Sequence, residues 1–306
     1  MELELTNFLQ SAIRFTIPIL FVALGETLSE KSGVMNLGVE GIMLVGAFSG
    51  FAFTSYTGSN YLGALGAILM GAFFGLAFAF FCVTLRSNQI IVGTAFNLLC
   101  IGATGFLYRR LFTDLNRDSV VMTFPFIGIP ILKDIPIIGP VLFNENILFY
   151  FAILCVAIMW FIFYRTSMGI AIIATGEHPK AADSLGINVY LVRYSCVIAG
   201  GALAALGGAF LSIAHSNTFI EGMSSGRGFI ALAVVILGKW NPLGALAGAF
   251  LFGAASSLQL SIQSAGNIIP YDLVLMLPYI LTIVAVVLVS KHVNVSPTAL
   301  GVPYEK

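Results

Sequence analysis

The chain has 306 residues, 58% of them hydrophobic and 9% charged, with 14 basic side chains balancing 14 acidic ones. Soluble domains are roughly a quarter charged, so this composition excludes an ordinary globular enzyme, and apolar runs of bilayer length make the chain an all-α polytopic membrane protein embedded in lipid. A net charge of zero offers no basic face for nucleic acid. Cys82, Cys100, Cys155 and Cys196 stand singly in apolar runs, with no C-x-x-C pair and no His at ligand spacing, so they read as packing residues and no metal site is expected.

The opening residues, MELELTNFLQ, carry acids where a secretory leader carries Lys or Arg, so the first apolar run, about Ser11 to Leu28, is expected to be a retained span. The second runs from about Asn36 to Phe53, and between them Gly33 and Gly38 flank a polar Asn36, with Glu40 and Gly41 following. Irregular backbone near a membrane is tolerated where protein or water satisfies it. The segment therefore reads either as an interfacial turn or as a broken helix facing a translocation path. Glu26 and Glu40 bear on that choice, because an acid within a span costs roughly 2.5–3.5 kcal/mol unless it is paired or faces water.

A third span is expected from about Tyr61 to Leu85, closed by Arg86, with Gly71 and Gly75 placed for close helix packing, as Gly46 and Gly50 are in the span before. The fourth opens at Asn88 and Gln89 and ends near Tyr108; Asn97 inside it is a candidate pathway amide or an interhelical bond former. Residues 112–145 hold mixed charges and prolines at 125, 130, 136 and 140, which points to an ordered segment outside the membrane, a short interfacial helix followed by loop. The fifth span covers about Ile147 to Tyr164.

Arg165 to Arg193 is a long polar stretch between apolar runs. Within it, Pro179 at a first helical position, Lys180, Ala181 and Ala182 as helix formers, and Gly186 as terminator define a helix of about two turns. Helices this short do not hold alone in water, so it is held by the ends of neighbouring membrane helices, held by a partner protein pressing on it from the aqueous side, or part of a solvated loop. The sixth span follows from about Tyr194 to Ala214, with Gly200, Gly201, Gly207 and Gly208 expected on nearly one face. The apolar run from Phe229 to Gly238 is short for a full crossing and reads as a half-helix or as a span extended by Gly226-Arg227-Gly228. Two further spans end near Gln263 and Val289, the last with Asp272 at its start and a kink at Pro278. The total is about nine transmembrane helices in a single domain over 1–306, with broken helices near Gly33–Gly41 and Gly222–Gly228 in the two halves.

Chemistry is constrained mostly by what is missing. There is no G-x-x-x-x-G-K-[ST] phosphate loop, no G-x-S-x-G elbow and no H-E-x-x-H, and His178, His215 and His292 are scattered. The chain is thus expected to be neither an ATPase nor a hydrolase. An ion-coupled secondary transporter using Glu26, Glu40 and Asp272 stays open at this point; no selectivity-filter string favours a channel.

Two strings narrow the field. Gly176-Glu177-His178-Pro179-Lys180-Ala181-Ala182, continuing through Asp183 to Gly186, resembles the cytoplasmic coupling loop of bacterial ATP-binding-cassette importer permeases. Ser29-Glu30-Lys31-Ser32-Gly33-Val34-Met35-Asn36-Leu37-Gly38-Val39-Glu40-Gly41 resembles the nucleoside branch of the permease family that serves branched-chain amino acids and ribose-type sugars. One position departs: such motifs often carry Glu before the Ala pair, where this chain has Lys180, and Glu177 lies further upstream.

The resemblance implies a non-catalytic membrane subunit that pairs with a second, similar permease or a second copy. It also implies a separate cytoplasmic ATPase holding ATP and Mg, and an extracytoplasmic substrate-binding lipoprotein. Residues 176–186 would then couple to the ATPase, 165–193 would be cytoplasmic and 112–145 extracytoplasmic. Glu26, Asn36, Glu40, Asn88, Gln89 and Asn97 would be the candidate substrate pathway, for a nucleoside or, within the same class, riboflavin or a simple sugar. The resemblance implies the bacterial inner membrane, and with residues 165–193 cytoplasmic the orientation agrees with the basic residues: eight (Lys31, Arg86, Arg165, Lys180, Arg193, Lys239, Lys291 and Lys306) fall on the cytoplasmic side and six on the other.

Overall fold

The computed structural model describes residues 2–113, 120–128, 130, 138–264 and 296–305, together with 273–274, 276, 280–281, 283–284 and 287. The expected last span, with Asp272 and Pro278, lies largely outside the described residues. Among the described residues, eleven α-helices and two short strands are formed: α1 Glu2–Lys31, α2 Val39–Thr57, α3 Asn60–Ala79, α4 Gln89–Tyr108, β1 Phe126–Gly128, α5 Ile138–Leu142, β2 Asn144–Asn146, α6 Ile147–Arg165, α7 Ser167–Glu177, α8 Pro179–Ser184, α9 Val189–Ala209, α10 Arg227–Leu237 and α11 Pro242–Ser264. Helices α3, α4 and α9 continue into wider π-type turns at Phe80–Thr84, Arg109–Thr113 and Phe210–His215.

Seven of these helices are long and apolar enough to cross a membrane, and α7 and α10 are shorter apolar helices. The count of nine is therefore not reached among the described residues. The difference is made by α10, too short to cross, and by the expected last span, most of which lies outside the described residues; within Arg165–Arg193 the polar composition concealed two further features. Ser167–Glu177, with the apolar run Ile170-Ala171-Ile172-Ile173, is a helix capped by Thr166, whose hydroxyl accepts the Gly169 N–H at 3.2 Å. Arg193, expected at a loop end, lies inside α9 and is almost fully buried.

Helix α9 is the central post. It packs on α1, α2 and α3, and α1 packs along α11 on its other side. Glycines permit these approaches, but not from one face as the seven-residue spacing suggested. Gly200 meets Gly25 and Gly207 meets the Pro18 carbonyl, both on α1; Gly201 meets Gly71 and Gly75 on α3; Gly208 meets Met43 and Ala47 on α2. Two adjacent glycines in a helix point about 100° apart, so each pair serves two neighbours, and a side chain at any of these positions would press on backbone.

Residues 120–128, 130 and 138–146 form a small cover on the side of the helices away from α8. Strand β1 pairs antiparallel with β2, Phe126 opposite Asn146, with α5 between them; the expected helix-then-loop is thus a helix inside a short hairpin. Glu145 is buried there, 3.6 Å from Arg14, whose guanidinium lies over the Phe126 ring. Burial pushes the Glu145 carboxyl up to about 7 against the opposing pull of Arg14. Because the fold raises this pKa above its ordinary 4.5, the folded state holds the proton more tightly, and stability falls as pH rises from 4.5 to about 7. Glu145→Gln is expected to flatten that dependence. Its melting temperature in detergent should match the parent at pH 4.5 and exceed it at pH 8, by the equivalent of about 2–3 kcal/mol, each pK unit being worth about 1.4 kcal/mol. A parent that gains stability over this interval would contradict the assignment.

Candidate functional site

Between α1 and α2 the chain leaves helical geometry for residues 32–38. Gly33 turns with φ +93, a left-handed value that disfavours any side chain, and a Cβ there would also press on the Arg193 guanidinium. Each polar backbone group freed by the break needs a partner in a low-dielectric interior, and three of the polar residues singled out by sequence supply such partners. Asn97 on α4 bridges the break with both ends of its amide: Oδ1 accepts the Gly41 N–H at 2.8 Å and Nδ2 donates to the Leu37 carbonyl at 2.8 Å. Gln89 accepts the Met35 N–H at 2.7 Å, and Asn36, fully buried, folds back to accept the Gly38 N–H at 3.1 Å.

Glu40 goes further. Its two carboxylate oxygens accept the backbone N–H groups of Gly226 at 2.8 Å and Gly228 at 2.7 Å. These are the first groups of α10, left without intrahelical partners by helix geometry and carrying the positive end of its dipole. The first turn of α2 and the first turn of α10 are thus joined through one buried acid. Its position inside the membrane is explained by this capping, since a carboxylate among N–H donors is stabilised where a lone one is not. Gly228 lies so close to the Glu40 backbone that a Cβ would collide with it.

Helix α10 is a half-helix. Eleven residues span about 16 Å, roughly half of a 30 Å hydrocarbon core. One end sits at Glu40; at the other, Trp240 donates its indole N–H to Glu30 near the end of α1. Asn97 lies eight residues along α4, about 12 Å from its start, which sets the junction well inside the bundle. Above it, Phe48, Phe51, Tyr108, Phe112 and Phe219 pack ring on ring, with centroids 5.0–6.5 Å apart.

Two candidates stand apart. Asn88, exposed, caps α4 by accepting the Ile90 and Ile91 N–H groups. Glu26 is fully buried beside Asn36 and Glu30, and its oxygens find no hydrogen bond of good geometry among the described residues.

The second part of the site is the stretch from Gly176 to Gly186. Pro179 starts α8 at its first position, and the helix ends in paired bonds, Gly186 N–H to the Asp183 carbonyl and Ile187 N–H to the Ala182 carbonyl, with Gly186 left-handed at φ +85. Ala182 is not on the surface: it is 2% exposed and packs with Val189 and Tyr304. His178, Lys180 and Ala181 face outward, and Leu185 is 83% exposed. Glu177 accepts both the N–H and the hydroxyl of Thr298, the latter at 2.7 Å, so the acid upstream of the Ala pair is occupied within the chain. Sequence reasoning had no signal for this partner, nor for Arg193, whose Nε donates to the Ser32 carbonyl at 3.2 Å and Nη1 to the Val302 carbonyl at 3.1 Å.

A bundle of membrane-crossing helices, an inward-ending half-helix and a short docked helix on one rim define a multi-pass membrane permease. The chain matches the family described as "Branched-chain amino acid transport system / permease component" over residues 8–286 and belongs to it. It is 38% identical to the guanosine ABC transporter permease protein NupQ of Bacillus subtilis, over 99% of this chain and 97% of that protein. It is 36% identical to the nucleoside ABC transporter permease protein NupC of Lactococcus lactis, over 95% and 94%. A third relative, "Putative glucose ABC transporter permease protein TsgC13" of Haloferax volcanii, is 40% identical over 84% of this chain and 78% of its own length. The fold is also that of a metal-chelate type ABC transporter solved in an inward-facing conformation, at TM-score 0.50 and 19% identity over 89% of this chain and 84% of that one. B. subtilis and L. lactis each contribute a second, more distant permease to the relatives, NupP and NupB.

Proposed function

We propose that this chain is the permease subunit of an ATP-driven nucleoside importer and hydrolyses nothing itself. The observation that carries the reading is its near end-to-end similarity to two permeases named for guanosine and nucleoside transport. In this reading the rim bearing α8 is cytoplasmic, and a separate ATPase presses on His178, Lys180, Ala181 and Leu185. A second permease, or a second copy, completes the pathway, and a substrate-binding lipoprotein docks on the β1–β2 side. The junction of α2 and α10 is where a substrate passes, between Glu40 and the aromatic group around Phe219. A nucleoside suits such surroundings, because its base stacks on rings while its ribose hydroxyls exchange bonds with amides and carboxylates.

The similarity to TsgC13 favours a second reading, a simple sugar as substrate. Uptake of radiolabelled guanosine into cells expressing the whole transporter separates the two. It is expected to need ATP, to be blocked by excess unlabelled nucleosides and to be untouched by excess glucose; ATP-dependent uptake of glucose with none of guanosine would establish the sugar reading instead.

A further inference from the structure

The segment Pro297–Glu305 belongs to no helix of more than one turn and to no sheet among the described residues, yet it is firmly placed by bonds to three separate elements. From the end of α7, the Gly176 carbonyl accepts the Ala299 N–H at 2.9 Å, and Glu177 holds Thr298. From the break, the Gly33 carbonyl accepts the Gly301 N–H at 3.1 Å. From α9, Arg193 donates to the Val302 carbonyl while also holding the Ser32 carbonyl. Tyr304, 4% exposed, then fills the space between Ala182 of α8 and Val189 of α9, with its ring 5.5 Å from that of Tyr190. Glu305 closes the line on Arg86 at 3.1 Å.

Gly176 also packs directly on Lys31 and Gly33. Among the described residues, however, the backbone hydrogen bonds that tie the α7–α8 stretch to the break run through Ala299 and Gly301. We propose that Pro297–Glu305 is a strap that makes α8 and the Gly33 break one mechanical unit, with Arg193 as the positioning residue that locks the strap to both. The proposal rests on the reading of α8 as the ATPase-coupling helix. A six-residue helix cannot transmit force through its own stability. Held by Tyr304 through the buried Ala182 and followed by the exposed Leu185 at its C-terminal end, it passes a displacement along the strap to Gly33. From there the displacement reaches Glu40 and the N-terminus of α10. The strap stays fastened throughout the cycle, because what must move is the unit as a whole.

The test uses the complete transporter in proteoliposomes, with ATP hydrolysis and labelled guanosine uptake measured together. Tyr304→Ala and the milder Thr298→Val are expected to leave ATPase activity within about twofold while guanosine moved per ATP falls at least tenfold for the first and severalfold for the second. Equal falls in both activities would mark the tail as a stabilising element only and overturn the proposal. Glu177→Cys with Thr298→Cys, bridged by a short bis-methanethiosulfonate, supplies the converse; the native cysteines are buried and spared. Bridging is expected to raise guanosine moved per ATP from the lowered level of the unbridged double variant, whereas a further fall on bridging that reductant reverses would show that the strap must open and overturn the proposal. An unaltered transporter whose uptake ignores ATP would instead defeat the coupling reading itself, and the strap with it.

Discussion

Glu40→Gln is expected to lower substrate uptake at least tenfold while leaving the protein inserted in the membrane, and Glu40→Ala to abolish it. The carboxylate accepts one N–H on each oxygen, from Gly226 and Gly228. The amide keeps one acceptor and turns an NH2 group toward the other donor. A hydrogen bond to a charged group contributes roughly 1.5–3 kcal/mol, and leaving a buried donor unmatched adds a cost of similar size. A shift of about 1.4 kcal/mol in the position of a two-state element already changes its population tenfold. Glu40→Asp, one methylene shorter, should fall between parent and Gln. Uptake normalised to protein in the membrane fraction is the measurement; undiminished uptake by the Ala variant would falsify the role given to this junction.

The second large effect is expected on the α8 rim, where two substitutions three residues apart should act by different routes. Leu185→Asp places a charge on the most exposed apolar side chain of the stretch without touching the packing beneath it. It is expected to abolish uptake and the association of the ATPase while the permease itself keeps its melting temperature. Ala182→Leu adds three carbons at a position 2% exposed, against Val189 and Tyr304. Overpacking of this sort costs about 1–3 kcal/mol, and the simplest relief is to expel Tyr304. This variant should therefore lose several degrees of stability and bring the tail within reach of added protease, with uncoupling as a consequence. If both variants behave alike in melting and in ATPase capture, the distinction between the buried Ala182 and the exposed Leu185 is wrong.

Much of this architecture was legible in the residues. Span positions follow from apolar runs, and the seven long helices begin and end within a turn or two of the expected limits, except for the first, which extends by more than two turns toward the N-terminus. Pro179 and Gly186 bound α8 as their backbone preferences require. The candidate pathway residues Asn36, Glu40, Gln89 and Asn97 do converge, since an uncharged amide or an acid in an apolar run must find a partner, and a nearby break in the helix supplies many. Asn88 was selected by the same reasoning and proved to be a helix cap, because amides serve both uses and sequence does not tell them apart.

What the chain by itself determined is the class: composition, run length and the strings around Gly33–Gly41 and Gly176–Gly186 suffice for a membrane-spanning permease, because burial in lipid and local backbone geometry are properties of neighbouring residues. What only the tertiary structure decided is pairing over distance. Glu40 meets residues 226 and 228, Arg193 joins Ser32 to Val302, and Thr298 answers Glu177. A carboxylate or guanidinium buried in the bundle will take whichever donor or acceptor the packing brings to it. That choice depends on how α9 lets α1, α2 and α3 approach, which no local pattern encodes.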